Sequence, residues 1–395
     1  MSLADWSTLQ RMNAVFGPLC LLGLIAILLL KFSPVPYCPI GLLLGAWCLW
    51  AGFIDRRWQR WGVNLSVAMV TLAIAELLIE PRRPVTSRYQ SLDAPGLSHV
   101  QNDELLGTVP RSHSRSRHTV VAHGQTVIDA IYTVDDQSLR LMPQGSPEEK
   151  SRETVVFLGC SFTYGEGVGD DETLPARVAL CRPRWRVLNF GFSGYGPHHM
   201  LANLESGRVS RICGENPRIA IFQMIPGHVQ RVAGWAPVRP DAPRYGWQGG
   251  EVRRLGRLDD RRVLLTVKRL LWKSRIFSEL IAPHIVSQAD VDLTVAILQR
   301  SAREVARQFP GCEFHVLLWT LPEDPFSPRV RTALQKSGLK LHLVENFAPE
   351  VQQPEDFRYR IPFDSHPTAL AHQRLADYVC REILPPTEPP AGVTP

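Results

Sequence analysis

The sequence predicts an α/β fold: a three-layer α/β/α sandwich with about five parallel strands, behind an N-terminal transmembrane helical region. Three observations carry that expectation. From residue 155 onward, all-apolar runs alternate with helical patterns, which is how buried parallel strands and their crossovers read. The run Val155-Val156-Phe157-Leu158 stops at Gly159, and Ser161 follows at once on a glycine-rich turn. Three apolar segments of near membrane-spanning length crowd the first eighty residues.

Those segments cover residues 14–30, 39–54 and 62–79. A removable signal peptide is single and followed by a cleavage site, so three in a row read as spans. Arg11 precedes the first, and Arg56, Arg57 and Arg60 lie between the second and third. The positive-inside rule puts both groups in the cytoplasm, and an odd number of spans then sends everything after Glu80 outward. Arg82 and Arg83 on the outer flank run against that bias. Trp47, Trp50, Trp58 and Trp61 suit interfacial anchoring. Glu76 lies near the end of the third segment, where helix packing or snorkelling explains it better than chemistry does.

The expected organisation is a three-helix transmembrane anchor at 1–80, a juxtamembrane linker with a small β-rich lead-in at 81–150, a catalytic domain at 151–384 and a disordered Pro-rich tail at 385–395. Within the lead-in, 119–121 and 127–134 alternate like hairpin strands, and the basic, Ser-rich 111–118 reads as a solvated loop. After the serine turn the pattern gives a helix at 174–180, a strand at 186–191, a helix at 198–210 and a strand at 218–225. Residues 229–260, rich in Gly, Pro, Arg and Trp, read as a long loop suited to covering a substrate. Helices at 262–281 and 290–308, strands at 313–320 and 340–345, and a helix at 368–383 complete the domain.

The chain has 395 residues and a net charge of +6, with arginine outnumbering lysine. No basic run interleaves with aromatics, which leaves a nucleic-acid partner without support. The eight cysteines form no C-x-x-C pair and no zinc spacing, so neither metal nor cofactor is expected. His198, His199 and His372 lack carboxylate partners at ligand spacing. Outside the cytoplasm one disulfide can form, Cys181–Cys213 being one pairing. Cys160 precedes the serine on an extended strand end, where neighbouring side chains face opposite ways, and so reads as a packing residue.

The chemistry concentrates in two stretches. Ser161 ends the first apolar strand, at the edge where open α/β sheets place their sites. The second stretch is Phe363-Asp364-Ser365-His366-Pro367, just before the last helix. A serine hydroxyl attacks a carbonyl only if a base removes its proton; His366 is the candidate base and Asp364 the residue that orients it.

The order Ser, Asp, His, with Gly159-Cys160-Ser161-Phe162-Thr163-Tyr164-Gly165 opening it, resembles the SGNH/GDSL hydrolase superfamily over roughly residues 152–384. The resemblance implies a flavodoxin-like sheet and an oxyanion hole built from the backbone N–H groups of Ser161 and Gly194, the latter in Asn189-Phe190-Gly191-Phe192-Ser193-Gly194. It implies no metal or cofactor. Three departures stand out. Cys160 occupies the place of the usual Asp, and Phe363 sits where an Asp-x-x-His pair would begin. The third block, normally Gly-x-Asn-Asp, reads Ile225-Pro226-Gly227-His228-Val229, without the Asn that completes the oxyanion hole. His228 either stands in as a donor or is structural or substrate-binding. The expected function is a multi-pass inner (plasma) membrane serine esterase with its catalytic domain on the extracytoplasmic side, acting on O-acyl, chiefly O-acetyl, esters of an envelope or exported glycan. A glycan O-acetyltransferase fed by a membrane-protein partner, and a non-catalytic glycan-binding or assembly subunit, are the alternatives.

Overall fold

A computed structural model describes residues 44–47, 59–79, 85–143, 153–214, 217–236 and 239–385. The first predicted span, nearly all of the second and the tail from 386 lie outside the described residues. Contacts divide the chain into two units: residues 1–82 with 266–285, and residues 83–265 with 286–395.

In the smaller unit, the third apolar segment forms the helix Gln59–Leu78. No single helix among the described residues is long and apolar enough to cross a membrane. Glu76 is buried, at 3 % exposure. Its carboxylate accepts from the Ser274 hydroxyl, from the Arg275 N–H at 2.7 Å and from the Ile276 N–H at 3.4 Å. It therefore caps the amides at the start of the helical turn Ile276–Ile281, which the chain itself leaves without acceptors. Helix packing is its structural role.

The larger unit is built on a five-stranded sheet of β6 (Thr154–Gly159), β7 (Arg186–Asn189), β8 (Pro217–Met224), β11 (Glu313–Leu318) and β12 (Lys340–Leu343). Their order across the sheet is β12-β11-β8-β6-β7. All its pairings are parallel, as the uninterrupted apolar runs require. Alternate residues of β6 feed the two faces. Val155 and Phe157 join one core cluster with Leu174, Trp319 and Leu375; Val156 and Leu158 join another with Phe222, Leu298 and Val316. Truncating Phe157, which is 0 % exposed, to Ala would cost about 3–5 kcal/mol. The chain leaves β6 for its neighbour β7 and crosses back to β8 on the other side. That reversal makes the carboxyl ends of β6 and β8 the switch point of the sheet, where ligands enter such folds.

The lead-in is β-rich. Strands β1 (Val85–Ser91), β4 (Ser114–Ala122) and β5 (Gln125–Val134) form an antiparallel sheet, and β2 (Val100–Asp103) pairs with β3 (Gly107–Pro110). Leu106, Val109, Val120, Ile128, Ala130 and Tyr132 share a core with Tyr164, Phe192 and Ile361, so the lead-in packs on the loops around the serine turn. Much of the segment expected as a solvated loop, 111–118, is strand β4. Its Ser114, Ser116 and His118 point inward while Arg115 and Arg117 point out. The period of two was present, but polar residues on the inward face concealed it.

Three further expectations change. Residues 229–260 are no open loop: they hold the short helix His228–Val232 and the hairpin β9 (Pro243–Gln248) and β10 (Glu251–Arg257), turning at Gly249-Gly250, both with positive φ. The helix expected over 198–210 breaks at Gly207 (φ +68°) into Pro197–Glu205 and Arg208–Cys213. The disulfide joins Cys181 to Cys380, Cα atoms 6.8 Å apart, and Cys213 is a buried free thiol. Cys181 ends the helix Leu174–Cys181, which packs beside the last helix Ala369–Tyr378 and so meets Cys380 across 199 residues of sequence. Sequence proximity had favoured the wrong partner.

Candidate active site

Gly159 ends β6 at φ +156°, and Cys160 extends one residue further before the helical turn Ser161–Tyr164 begins. Gly159 is required there: a Cβ would lie 2.1 Å from Thr163 Oγ1 and 3.0 Å from the Gln223 carbonyl. The turn rests on a buried polar frame. Thr163 donates its hydroxyl to Gln223 at 2.9 Å, and Asn189 donates its amide to the Thr163 carbonyl at 3.0 Å. Cys160 is fully buried in the core beneath, as a packing residue should be.

The sheet brings the distant loop to this turn. His366 Nε2 lies 2.8 Å from Ser161 Oγ, and His366 Nδ1 is hydrogen-bonded to Asp364 Oδ1. The same Oδ1 accepts the His366 backbone N–H at 3.3 Å. Phe363 (φ +62°) and Ser365 (φ +70°) flank Asp364 in the left-handed region, an uncommon conformation for residues other than glycine. The loop holds it through amides of Asp364 and Ser365 donating to the Ile361 carbonyl, at 3.3 and 2.9 Å. The imidazole packs 5.5 Å from the Phe162 ring, itself edge-on to Trp319.

Electrostatics suit a base. Burial disfavours the imidazolium of His366, but the Asp364 hydrogen bond and the charges of Glu166 and Asp364 outweigh it and hold its pKa above the ordinary value. Burial likewise works against the Asp364 carboxylate, and His366 overcomes it, leaving the carboxyl below its usual range. Nδ1–H thus stays on the Asp364 side, and Nε2 is free to take the serine proton.

Of the expected oxyanion donors, the N–H groups of Ser161 and Gly194 donate no hydrogen bond within the chain among the described residues. Gly194 adopts φ +81° in the turn after β7. His228 is different. Its ring is fully buried beside Phe222, Nδ1 faces the Ile225 amide at 3.5 Å, and Nε2 is buried with no hydrogen-bond partner. Burial holds the ring neutral. His228 opens the helix His228–Val232, and the side chain expected as a possible stand-in for the missing Asn is sealed from solvent there. His198, His199 and His372 are also fully buried and held neutral by desolvation. His372 Nδ1 accepts the Leu174 N–H at 3.1 Å, a structural bond.

Three residues escaped the sequence reading. Glu166 Oε2 lies 3.9 Å from His366 Nε2 and accepts the Ser193 hydroxyl, while its Oε1 accepts the Tyr89 hydroxyl at 3.0 Å. Tyr89 comes from β1 and is sandwiched between His99 (3.8 Å) and His118 (4.0 Å). Burial lowers the pKa of His118. Its Nδ1 lies 2.9 Å from the Tyr132 hydroxyl, which also accepts the Gly167 N–H, and its Nε2 lies 2.9 Å from the Ser87 hydroxyl. Arg140, fully buried, donates to the carbonyls of Tyr164, Gly165 and Val168 and to Asp170, clamping the loop that carries Glu166. A carboxylate between two glycines, directly after the serine turn, was a readable signal for Glu166; Tyr89 and Arg140 had none.

No protein-family model matches the sequence, and no curated protein does. Several solved structures are similar. One is a member of the lipolytic G-D-S-L family from Veillonella parvula DSM 2008, at 11 % identity over 58 % of this chain and 96 % of its own, with a TM-score of 0.35. Another is an acetyl xylan esterase from the rumen bacterium Butyrivibrio proteoclasticus, at 10 % identity over 75 % and 99 %, with a TM-score of 0.34. A third is a carbohydrate esterase family 2 enzyme with a carbohydrate-binding domain from Corynascus thermopiles (Myceliophthora fergusii), at 13 % identity over 76 % and 87 %, with a TM-score of 0.33. At these identities and TM-scores they decide nothing about activity, which rests on the side chains described above. At the carboxyl end of the parallel sheet, Ser161, His366 and Asp364 line up as a hydroxyl, an imidazole within hydrogen-bond reach of it and a carboxylate on the other ring nitrogen.

Proposed function

We propose that this chain is a membrane-anchored serine esterase that removes O-acyl groups, chiefly O-acetyl, from an envelope or exported glycan. The observation that carries the chemistry is the 2.8 Å contact between Ser161 Oγ and His366 Nε2, with Asp364 on the other ring nitrogen. Nε2 takes the hydroxyl proton as Oγ attacks the ester carbon. The developing oxyanion takes hydrogen bonds from the amides of Ser161 and Gly194. The carbon–oxygen bond to the leaving alcohol breaks as Nε2–H returns the proton to that alcohol, leaving acyl-Ser161. Water then gives a proton to Nε2 and its oxygen to the acyl carbon; the free acid departs and Ser161 regains its proton.

Two observations support the extracytoplasmic, anchored setting. The Cys181–Cys380 disulfide suits an oxidising compartment. The sequence before residue 80 carries three apolar segments with basic residues on alternate flanks. The glycan substrate follows from that compartment. The test is labelling by a fluorophosphonate probe together with turnover of p-nitrophenyl acetate. Wild-type protein should label and Ser161→Ala should not; a wild-type chain that neither labels nor turns over refutes the esterase.

A further inference from the structure

We propose that Glu166 is a catalytic residue of the second half-reaction: its Oε2 accepts a hydrogen bond from the oxygen nucleophile that attacks acyl-Ser161, and so orients it. The inference rests on the esterase reading above.

The geometry is that of a shared site. The incoming nucleophile must deliver its proton to His366 Nε2, so its oxygen sits about 2.8 Å from that nitrogen. Glu166 Oε2 is 3.9 Å from the same nitrogen, too far for a direct hydrogen bond. One oxygen atom can lie about 2.8 Å from both, with one O–H directed to each. The carboxylate has capacity left for it. A carboxylate oxygen accepts about two hydrogen bonds. Oε1 holds the Tyr89 hydroxyl, and Oε2 holds the Ser193 hydroxyl with a second position open. Burial opposes the charge on Glu166, but His366 and the Ser193 hydroxyl outweigh it, so the group is an acceptor at neutral pH. Arg140 fixes the backbone on both sides of it.

During attack the proton goes to Nε2 and Glu166 stays ionised; the hydrogen bond fixes the direction of the oxygen lone pair. Water has two O–H groups and can satisfy both acceptors. A sugar diol can do the same, one hydroxyl to Nε2 and its neighbour to Oε2. A simple monohydric alcohol leaves the second position on Oε2 unfilled. The site therefore selects water or a vicinal diol as the acyl acceptor, and a glycan leaving group with a neighbouring hydroxyl uses the same position in reverse.

The test is pre-steady-state turnover of p-nitrophenyl acetate by the full chain and by Glu166→Gln. The nitrophenol leaving group has no second hydroxyl, so the acylation burst should fall only by what the His366 imidazolium loses with the Glu166 charge. Deacylation should slow by roughly tenfold to a hundredfold more than the burst does, the usual cost of losing a hydrogen bond to a charged group. Acetyl-Ser161 should then accumulate in the intact-mass spectrum. Tyr89→Phe, which keeps the carboxylate but removes one of its donors, should slow the same step by a smaller factor. Burst and deacylation rates falling by the same factor would show a merely electrostatic or structural role and overturn the inference, as would unchanged deacylation in both variants. Retained fluorophosphonate labelling certifies that a variant is folded. Failure of the wild-type chain to label overturns the esterase reading as well, which separates the two failures.

Discussion

Replacing Asp364 with Asn separates the charge of the orienting group from its hydrogen bond. Asp364 Oδ1 accepts both the His366 ring and the His366 backbone N–H, the latter at 3.3 Å. The carbonyl oxygen of the substituted amide can take that place and keep both bonds. The correct tautomer then survives, and only the negative charge is lost. Two unit charges about 4 Å apart at the effective dielectric of a partly exposed site interact by about 4 kcal/mol. The two groups are mostly shielded, at 18 % and 17 % side-chain exposure. Acylation should therefore slow by about a thousandfold in Asp364→Asn, and further in Asp364→Ala, which loses the hydrogen bond too. A shift in the pH profile accompanies it. A base works only when neutral, so activity falls as pH drops through the His366 pKa, which stands above the ordinary histidine value. Removing the Asp364 charge destabilises the imidazolium, so the acid limb moves to lower pH. Stopped-flow burst rates across pH measure both quantities. A loss under tenfold with an unmoved acid limb would refute the assignment of Asp364, as would Asn and Ala variants of equal rate.

Three shorter predictions follow from particular contacts. Gly159→Ala places a Cβ 2.1 Å from Thr163 Oγ1 on the turn bearing the nucleophile; it should destabilise the domain by about 2–4 kcal/mol, seen as a fall in Tm, and abolish probe labelling. Cys181→Ser with Cys380→Ser opens a cross-link spanning 199 residues and should cost about 4–5 kcal/mol in urea unfolding, while mass mapping of unreduced wild type should recover a Cys181–Cys380 peptide and leave Cys213 free. His228→Ala should lower Tm through a buried cavity but leave kcat/KM of the folded fraction within about threefold, whereas a hundredfold loss of kcat/KM would place His228 in the oxyanion hole.

The hydrogen bonds around His118 and Tyr132 show what the lead-in does for the site. They run from Ser87 to His118, from His118 to Tyr132 and from Tyr132 to Gly167. This chain of bonds holds β1 and β5 against the loop after the nucleophile, and Tyr89 extends from β1 to Glu166. The lead-in is thereby part of the site's construction.

The primary structure by itself determined the α/β class, the succession of buried strands and the singling out of Ser161, Asp364 and His366 as the polar groups to be brought together. Those are local properties: an apolar run long enough for one strand, a glycine where a Cβ would clash, an acid and an imidazole two residues apart. The tertiary structure alone decided which distant groups meet. It set Glu166 3.9 Å from the His366 imidazole, brought Tyr89 to Glu166 across 77 residues, paired Cys181 with Cys380 and buried His228. The reason is physical. Strand and turn preferences are written in nearest neighbours, whereas the order of strands in a sheet and the docking of one sheet on another depend on burying surfaces far apart in the chain. Sequence spacing carries almost no information about such encounters.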